Sequence, residues 1–352
     1  MKVITLSIII VLLCVILFNP AVAETQIEIV TIFSDENSMD ITLLSNEKIN
    51  NGLIVFSLSH NNEILESQTI ELDIIPDKET TRVIFWGNHF QLGVYNAKAR
   101  VYINGELGAE AVDSFTYGFK TLPRFQIIDL SPTSSGTSVL LTPRSVNQPG
   151  VGDFSFQLIM SGEIIDTEIK ENIPVIQTTP ISINWPILLE DHTDYMVRLK
   201  SFSHVPKTIT TYSTGFTSGQ DVEIDETDVE VDDFGVSVTL FGKSQVPFDG
   251  IVEVELQKDG TIFKSFSGKP DILTLGRDDT VGIIWNDLDP GVYKVLIKAK
   301  TLDGEILDRY ETVLSIPEKV NPVGTPEPKT PGFSAIMGII SVIFSTFIVR
   351  KR

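Results

Sequence analysis

The chain has 352 residues, 47 acidic and 27 basic, for a formal net charge of −20. That balance excludes nucleic acid as a partner and disfavours adhesion to anionic lipid heads, since both attract basic surfaces. With a single cysteine and four histidines, the chain also lacks the Cys–His sets that hold structural or catalytic zinc.

The N-terminus reads as an export signal. Lys2 supplies a small positive region, Val3 to Phe18 is apolar, and Asn19-Pro20 breaks the helix before Ala21-Val22-Ala23. Ala21 and Ala23 are the small residues of a cleavage site, so signal peptidase is an expected partner and the mature chain starts at Glu24. The only cysteine, Cys14, lies inside the segment to be removed. A cysteine-free exported chain must draw its stability from core size, which favours domains near 100 residues.

The strongest internal signal is a repeat of about 100 residues. Trp86, Trp185 and Trp285 stand 99 and 100 apart, and Tyr95, Tyr195 and Tyr293 follow them by 9, 10 and 8 residues. A period this long indicates a string of domains rather than a solenoid of short units. The predicted boundaries are 24–119, 122–217 and 220–316, joined by links short enough to make a semi-rigid rod.

Each copy reads as β throughout. In the first, Tyr95, Ala97, Ala99, Val101 and Ile103 alternate with Asn96, Lys98, Arg100 and Tyr102, the period of a half-buried strand. Turn signals punctuate the copies at Asn61-Asn62, Asn104-Gly105, Ser161-Gly162, Asp259-Gly260 and Asp303-Gly304. About seven strands per copy, with no helical periodicity between the signals, predict an all-β chain of antiparallel sandwiches.

The run Leu288-Asp289-Pro290-Gly291-Val292-Tyr293 leading into an alternating strand resembles the tyrosine corner of immunoglobulin-like and fibronectin type III domains. The resemblance implies three tandem sandwiches of that class, with each tyrosine hydroxyl tied to upstream backbone. Each tryptophan then fills a core. The rival reading, a sugar-stacking platform, fits less well, because one tryptophan recurs at a fixed place beside apolar neighbours in every copy.

Asp221 to Asp233 carries eight acids in thirteen residues. Two readings compete. Asp225, Asp228, Glu230, Asp232 and Asp233 are the candidate ligands of a Ca²⁺ clamp stiffening the joint between copies two and three. The other, which we favour, is a charged edge strand that blocks sheet-to-sheet aggregation, because no Asp-x-Asp-x-Asp-Gly loop is present and the other copies lack the cluster. No cofactor is otherwise implied.

His60, His89, His192 and His204 show no metal-ligand spacing, and His60 falls beside a hairpin turn, which suggests a solvated loop. No nucleophile elbow, phosphate loop or dinucleotide fingerprint occurs. The chain reads as non-enzymatic.

Residues 317–331 hold five prolines and no core, an extended stalk with a reach of about 45 Å. Then Pro331-Gly332-Phe333 precedes an uncharged run to Val349 and a terminal Arg350-Lys351-Arg352. As a helix the 17 residues from Phe333 to Val349 would span about 26 Å, a marginal membrane crossing with its basic end inside. Motif, apolar run and basic end together resemble the PGF-CTERM sorting signal of archaeal surface proteins. That resemblance implies cleavage by an archaeosortase-like enzyme and attachment to a membrane lipid; the alternative is a retained single-pass helix. Removing both ends takes four basic residues and no acidic one, so the mature balance deepens from −20 to −24.

The expectation is a membrane-anchored protein on the extracellular face of an archaeal envelope. It would serve structure, adhesion or interaction with an envelope or surface-layer protein. A receptor ectodomain for a solute, glycan or Ca²⁺ is the alternative.

Overall fold

The computed structural model describes residues 27–318, apart from 88, 89, 120 and 146. The cleavage residues Ala21 and Ala23, the motif Pro331-Gly332-Phe333, both terminal apolar segments and His89 lie outside the described residues. Within them the chain is all-β, and no helix is long and apolar enough to cross a membrane.

Twenty-one strands follow in three sets of seven. The first set is β1 (Ile27–Ser34), β2 (Ser38–Ser45), β3 (Ile49–His60), β4 (Glu63–Ile74), β5 (Thr80–Phe85), β6 (Gly93–Ile103) and β7 (Glu106–Tyr117). The second is β8 (Phe125–Pro132), β9 (Gly136–Pro143), β10 (Gly150–Met160), β11 (Glu163–Val175), β12 (Thr179–Asn184), β13 (Asp194–His204) and β14 (Lys207–Thr217). The third is β15 (Val222–Val231), β16 (Gly235–Gly242), β17 (Ile251–Lys258), β18 (Thr261–Gly268), β19 (Asp278–Ile284), β20 (Gly291–Lys300) and β21 (Ile306–Ile316).

Each set makes the same two antiparallel layers. In the third, β15-β16-β19 faces β18-β17-β20-β21. In the first, β1-β2-β5 faces β4-β3-β6-β7, and in the second β12-β9-β8 faces β11-β10-β13-β14. The alternation places the core: Val252, Val254 and Leu256 of β17 meet Tyr293, Val295 and Ile297 of β20 inside one layer pair. Two further apolar clusters centre on Trp86 and Trp185.

The turns take the backbone that their residues favour. Asn61-Asn62, Asn104-Gly105, Ser161-Gly162 and Asp259-Gly260 all have both central φ angles positive, the mirror-image turn whose twist matches a two-residue hairpin. Asp303-Gly304 differs: only Gly304 is left-handed, and Thr301 N–H donates to Glu305 across a wider loop. In the second set the matching hairpin, β13 to β14, turns through a cis Val205-Pro206 bond.

The sets do not form a simple rod. The second and third meet end to end: Gln245 donates to the Trp185 carbonyl, Leu189 N–H donates to the Gln245 carbonyl, and Val246 plugs the second core. The first and second instead pack sheet face against sheet face. Their layers join through β5 and β11, where Arg82 pairs with Glu163, to give one seven-stranded sheet. The expectation of end-on modules throughout fails here because β2 carries polar residues that need partners. Ser38, Asp40 and Thr42 point away from their own core, yet all are buried.

Candidate functional site: the seam between the first two units

The seam is built from outward-facing positions of strands whose inward faces are core. On β2, Met39 and Ile41 face the core while Ser38 and Asp40 face the second unit. On β13, Val197 and Leu199 face their core while Arg198 and Lys200 cross to the first.

Arg198 is fully buried. Its Nη2 lies 2.9 Å from Asp40 Oδ2, its Nη1 donates to Ser38 Oγ at 3.2 Å, and its Nε donates to Gln157 Oε1 at 2.7 Å. Lys200 Nζ reaches the same Asp40 oxygen at 3.1 Å and lies 3.9 Å from the centre of the Phe33 ring, an arrangement in which the ring face also attracts the charge. Burial pulls the Lys200 ammonium below its ordinary pKa, against the pull of Asp40 in the other direction.

A second cluster sits beside it. Thr211 N–H and Oγ1–H both donate to the Asp35 carboxylate, with oxygen at 2.8 Å in each case, and Asn37 Nδ2 donates to the Thr211 carbonyl at 2.7 Å. Asp35 also accepts from the Asn37 and Ser38 amides at 2.9 and 3.1 Å, closing its own turn. Burial raises the Asp35 pKa, and these hydrogen bonds only partly offset it. A hydroxyl on a carboxylate has the form of an activated nucleophile, but Thr211 and Asp35 are both buried under the opposing unit. The pair fastens strands rather than meeting a substrate.

Two clefts flank the seam. One, about 750 Å³, is lined by Lys48, Asp73, Lys78, Glu79, Asp166 and Lys200 among others. The other, about 700 Å³, is more apolar and is lined by Ile70, Ile84, Ile159, Met196 and Phe216 from both units. Gln68 of β4 closes one side of it, donating to the Phe85 carbonyl and to Glu66 Oε1, whose other oxygen accepts from Gly87 N–H.

The aromatic markers are buried in all three units. Tyr95 hydroxyl donates to the Gln91 carbonyl at 2.9 Å and accepts from the Gln91 amide at 2.7 Å. Tyr293 donates to the Asp289 carbonyl at 2.8 Å, and Tyr195 accepts from the Glu190 amide at 3.1 Å. Trp86 and Trp185 donate their indole N–H to Ser34 Oγ and the Thr133 carbonyl. The Trp285 indole N–H is buried with no partner among the described residues.

The acidic segment forms β15, an outer strand of its sheet. Its pairing with β16 is interrupted between Ile224 and Val229, so Asp225 to Asp228 bulge from the ladder. The carboxylates are used separately: Asp225 accepts from Thr227, Asp228 from Thr239 Oγ1, and Asp232 from the Phe234 and Gly235 amides. Glu230 pairs by backbone with Ser237, and Asp233 lies in the turn to β16. Among the described residues no three carboxylate, histidine or cysteine side chains gather as metal ligands.

His60 is not in a solvated loop. Its ring stacks on Tyr95 with centroids 4.5 Å apart, and Nδ1 lies 2.9 Å from the Val94 carbonyl. The turn takes Asn61-Asn62, as the sequence predicts, and His60 is the last residue of β3, paired across to Tyr95 of β6. His204 contacts Asp153, and His192 contacts Asp191 at an exposed turn.

The residues of the seam carry a sequence signal that is visible once the strands are aligned. A basic pair recurs on the same strand at Lys98 and Arg100, Arg198 and Lys200, and Lys298 and Lys300. In the first unit it meets Glu110, and in the third Glu253 and Glu255, within its own sheet. In the second unit the cross-strand neighbours are Gln157, Ser155, Ser213 and Thr211. The pair there has no acid opposite it in its own sheet and takes Asp40 from the first unit.

No protein-family model matches the chain, and no curated protein does. Among solved structures, a transglutaminase from red sea bream aligns at 9% identity and TM-score 0.28, covering 56% of this chain and 32% of its own. Dimeric latent PorU from Porphyromonas gingivalis aligns at 11% identity and TM-score 0.22, covering 83% of this chain and 34% of its own. The chain thus spans about a third of the length of each. Likeness at this level carries no functional argument.

Proposed function

We propose that the chain is a structural or adhesive protein of an archaeal cell envelope, held at the outer face of the membrane by its C-terminus. Three immunoglobulin-like or fibronectin type III-like sandwiches, at about 24–119, 122–217 and 220–316, form the exported body. A proline-rich stalk, 317–331, joins it to the sorting tail. Signal peptidase and an archaeosortase-like enzyme would process the two ends, and an envelope or surface-layer protein would be the neighbour.

One observation supports this reading most: the aromatic set that could have formed a ligand platform is spent on cores and backbone ties in every unit. The largest concentration of charge off the surface joins unit to unit. Both suit a body whose task is to hold shape rather than carry out chemistry.

A receptor ectodomain is the second reading, and the apolar cleft that includes Ile84, Met196 and Phe216 favours it. Cross-linking on intact cells, followed by mass spectrometry of the extracted protein, separates the two. The envelope reading expects a reproducible protein neighbour and a mature C-terminus near residue 331. An intact tail and no neighbour would replace it with the single-pass receptor.

A further inference from the structure

The seam joins two bodies that are each complete without it. The clusters around Trp86 and Trp185 are separate, and the second is closed at its far end by Val246, not by the first unit. What crosses the seam is chiefly polar: Asp35, Asn37, Ser38 and Asp40 on one side, Arg198, Lys200 and Thr211 on the other. Parting such faces separates Arg82 from Glu163, returns charged groups to water and uncovers Val83 and Ile159, but leaves both core clusters intact, unlike parting an obligate apolar interface. One covalent strand crosses between the units, the seven residues from 118 to 124. Fully extended they span about 23 Å.

We propose that this seam is exchangeable between copies: the Asp35–Asp40 face of one molecule docks on the Arg198–Lys200–Thr211 face of a second, and reciprocally. The partner is therefore a second copy of this chain. The argument is charge complementarity. The Arg198–Lys200 pair stands where the other units pair a base with an acid of their own sheet, but here Ser155, Gln157, Thr211 and Ser213 stand opposite it, and Asp153 of β10 is engaged by His204 and the Asn172 amide. Its carboxylate must come from a first unit, and any copy's first unit carries it. The same contacts made within one molecule compete at an effective concentration on the order of millimolar, as for a short link between two modules. Exchange accordingly sets in only where copies are crowded, and it needs no membrane anchor.

The test uses two full-length mature variants. Asp40→Arg sets a second guanidinium against Arg198, and Arg198→Asp sets a second carboxylate against Asp40, so each variant alone has its own seam opposed. Mixed, the first unit of either variant complements the second unit of the other, and the exchanged pair regains both contacts. Light scattering on size-exclusion fractions should show a particle of twice the monomer mass in the mixture only. Two monomers in the mixture, or equal dimerisation of either variant alone, would overturn the proposal. Should Arg198→Asp fail to fold at its buried position, Arg198→Glu, closer to arginine in length, mixed with Asp40→Lys carries the same expectation and the same two refutations.

Discussion

Arg198 and Asp40 lie 2.9 Å apart although 158 residues separate them and they belong to different units. Neither side chain faces the hydrophobic cluster of its own unit. Their contact, with the Asp35–Thr211 cluster and the Arg82–Glu163 join, fastens the first unit to the second.

Removing one partner should therefore open the seam. Asp40→Ala leaves Arg198 buried and uncompensated, which costs the closed form on the order of 3–5 kcal/mol. Spin labels on the exposed positions Glu71 and Ile169 should report a broadened, longer distance; the only native cysteine, Cys14, is replaced by serine for the labelling. An unchanged distance would mean that the fastening lies elsewhere.

The Asp35 cluster gives a pH dependence with a definite sign. Burial holds the folded pKa of Asp35 above its ordinary 3.8, so the folded form binds a proton more readily than the unfolded one. Its contribution favours folding below 3.8 and declines as pH rises through the raised folded value. Asp35→Asn should flatten this part of the stability profile, read as denaturation midpoint against pH.

The tyrosine ties should rank by their bonds. Tyr95→Phe loses both a donated and an accepted bond to Gln91, whereas Tyr293→Phe loses the bond donated to Asp289. At about 1 kcal/mol per bond, the first should cost roughly twice the second in urea unfolding. Equal costs would show that ring packing, not the hydroxyl, dominates.

Trp285 and Trp185 should respond differently to phenylalanine. Both lose core volume, but of the two only the Trp185 indole donates a hydrogen bond, to the Thr133 carbonyl. Trp185→Phe should thus be the more damaging, by about 1 kcal/mol. Truncation of Trp285 to alanine should cost about 3–5 kcal/mol.

Calcium should leave the thermal midpoint of the second and third units unchanged, since Asp225, Asp228 and Asp232 are each engaged locally. A rise on adding Ca²⁺, reversed by chelation, would restore the clamp.

Much of this arrangement was legible in the residues. The 99- and 100-residue spacing of Trp86, Trp185 and Trp285 marks three equivalent cores, because a large aromatic fills each sandwich at one place. Period-two alternation at Tyr95 to Val101 separates core from outer face, because successive strand side chains point oppositely. Paired left-handed residues such as Asp259-Gly260 locate the hairpins. These are local properties, and a strand expresses them before it finds a neighbour.

What alternation alone leaves open is whether an outward face meets water or another domain. Arg198 and Lys200 read, by themselves, like the solvent-facing bases Lys98 and Arg100. They are covered because their partner Asp40, and Asp35 beside it, come from a different unit, which no local pattern reveals. Short-range periodicity and turn stereochemistry suffice for an all-β repeat, its aromatic cores and its hairpins. The packing of the first unit against the second rests on long-range charge pairing, and it takes the three-dimensional fold to bring those charges within 3 Å.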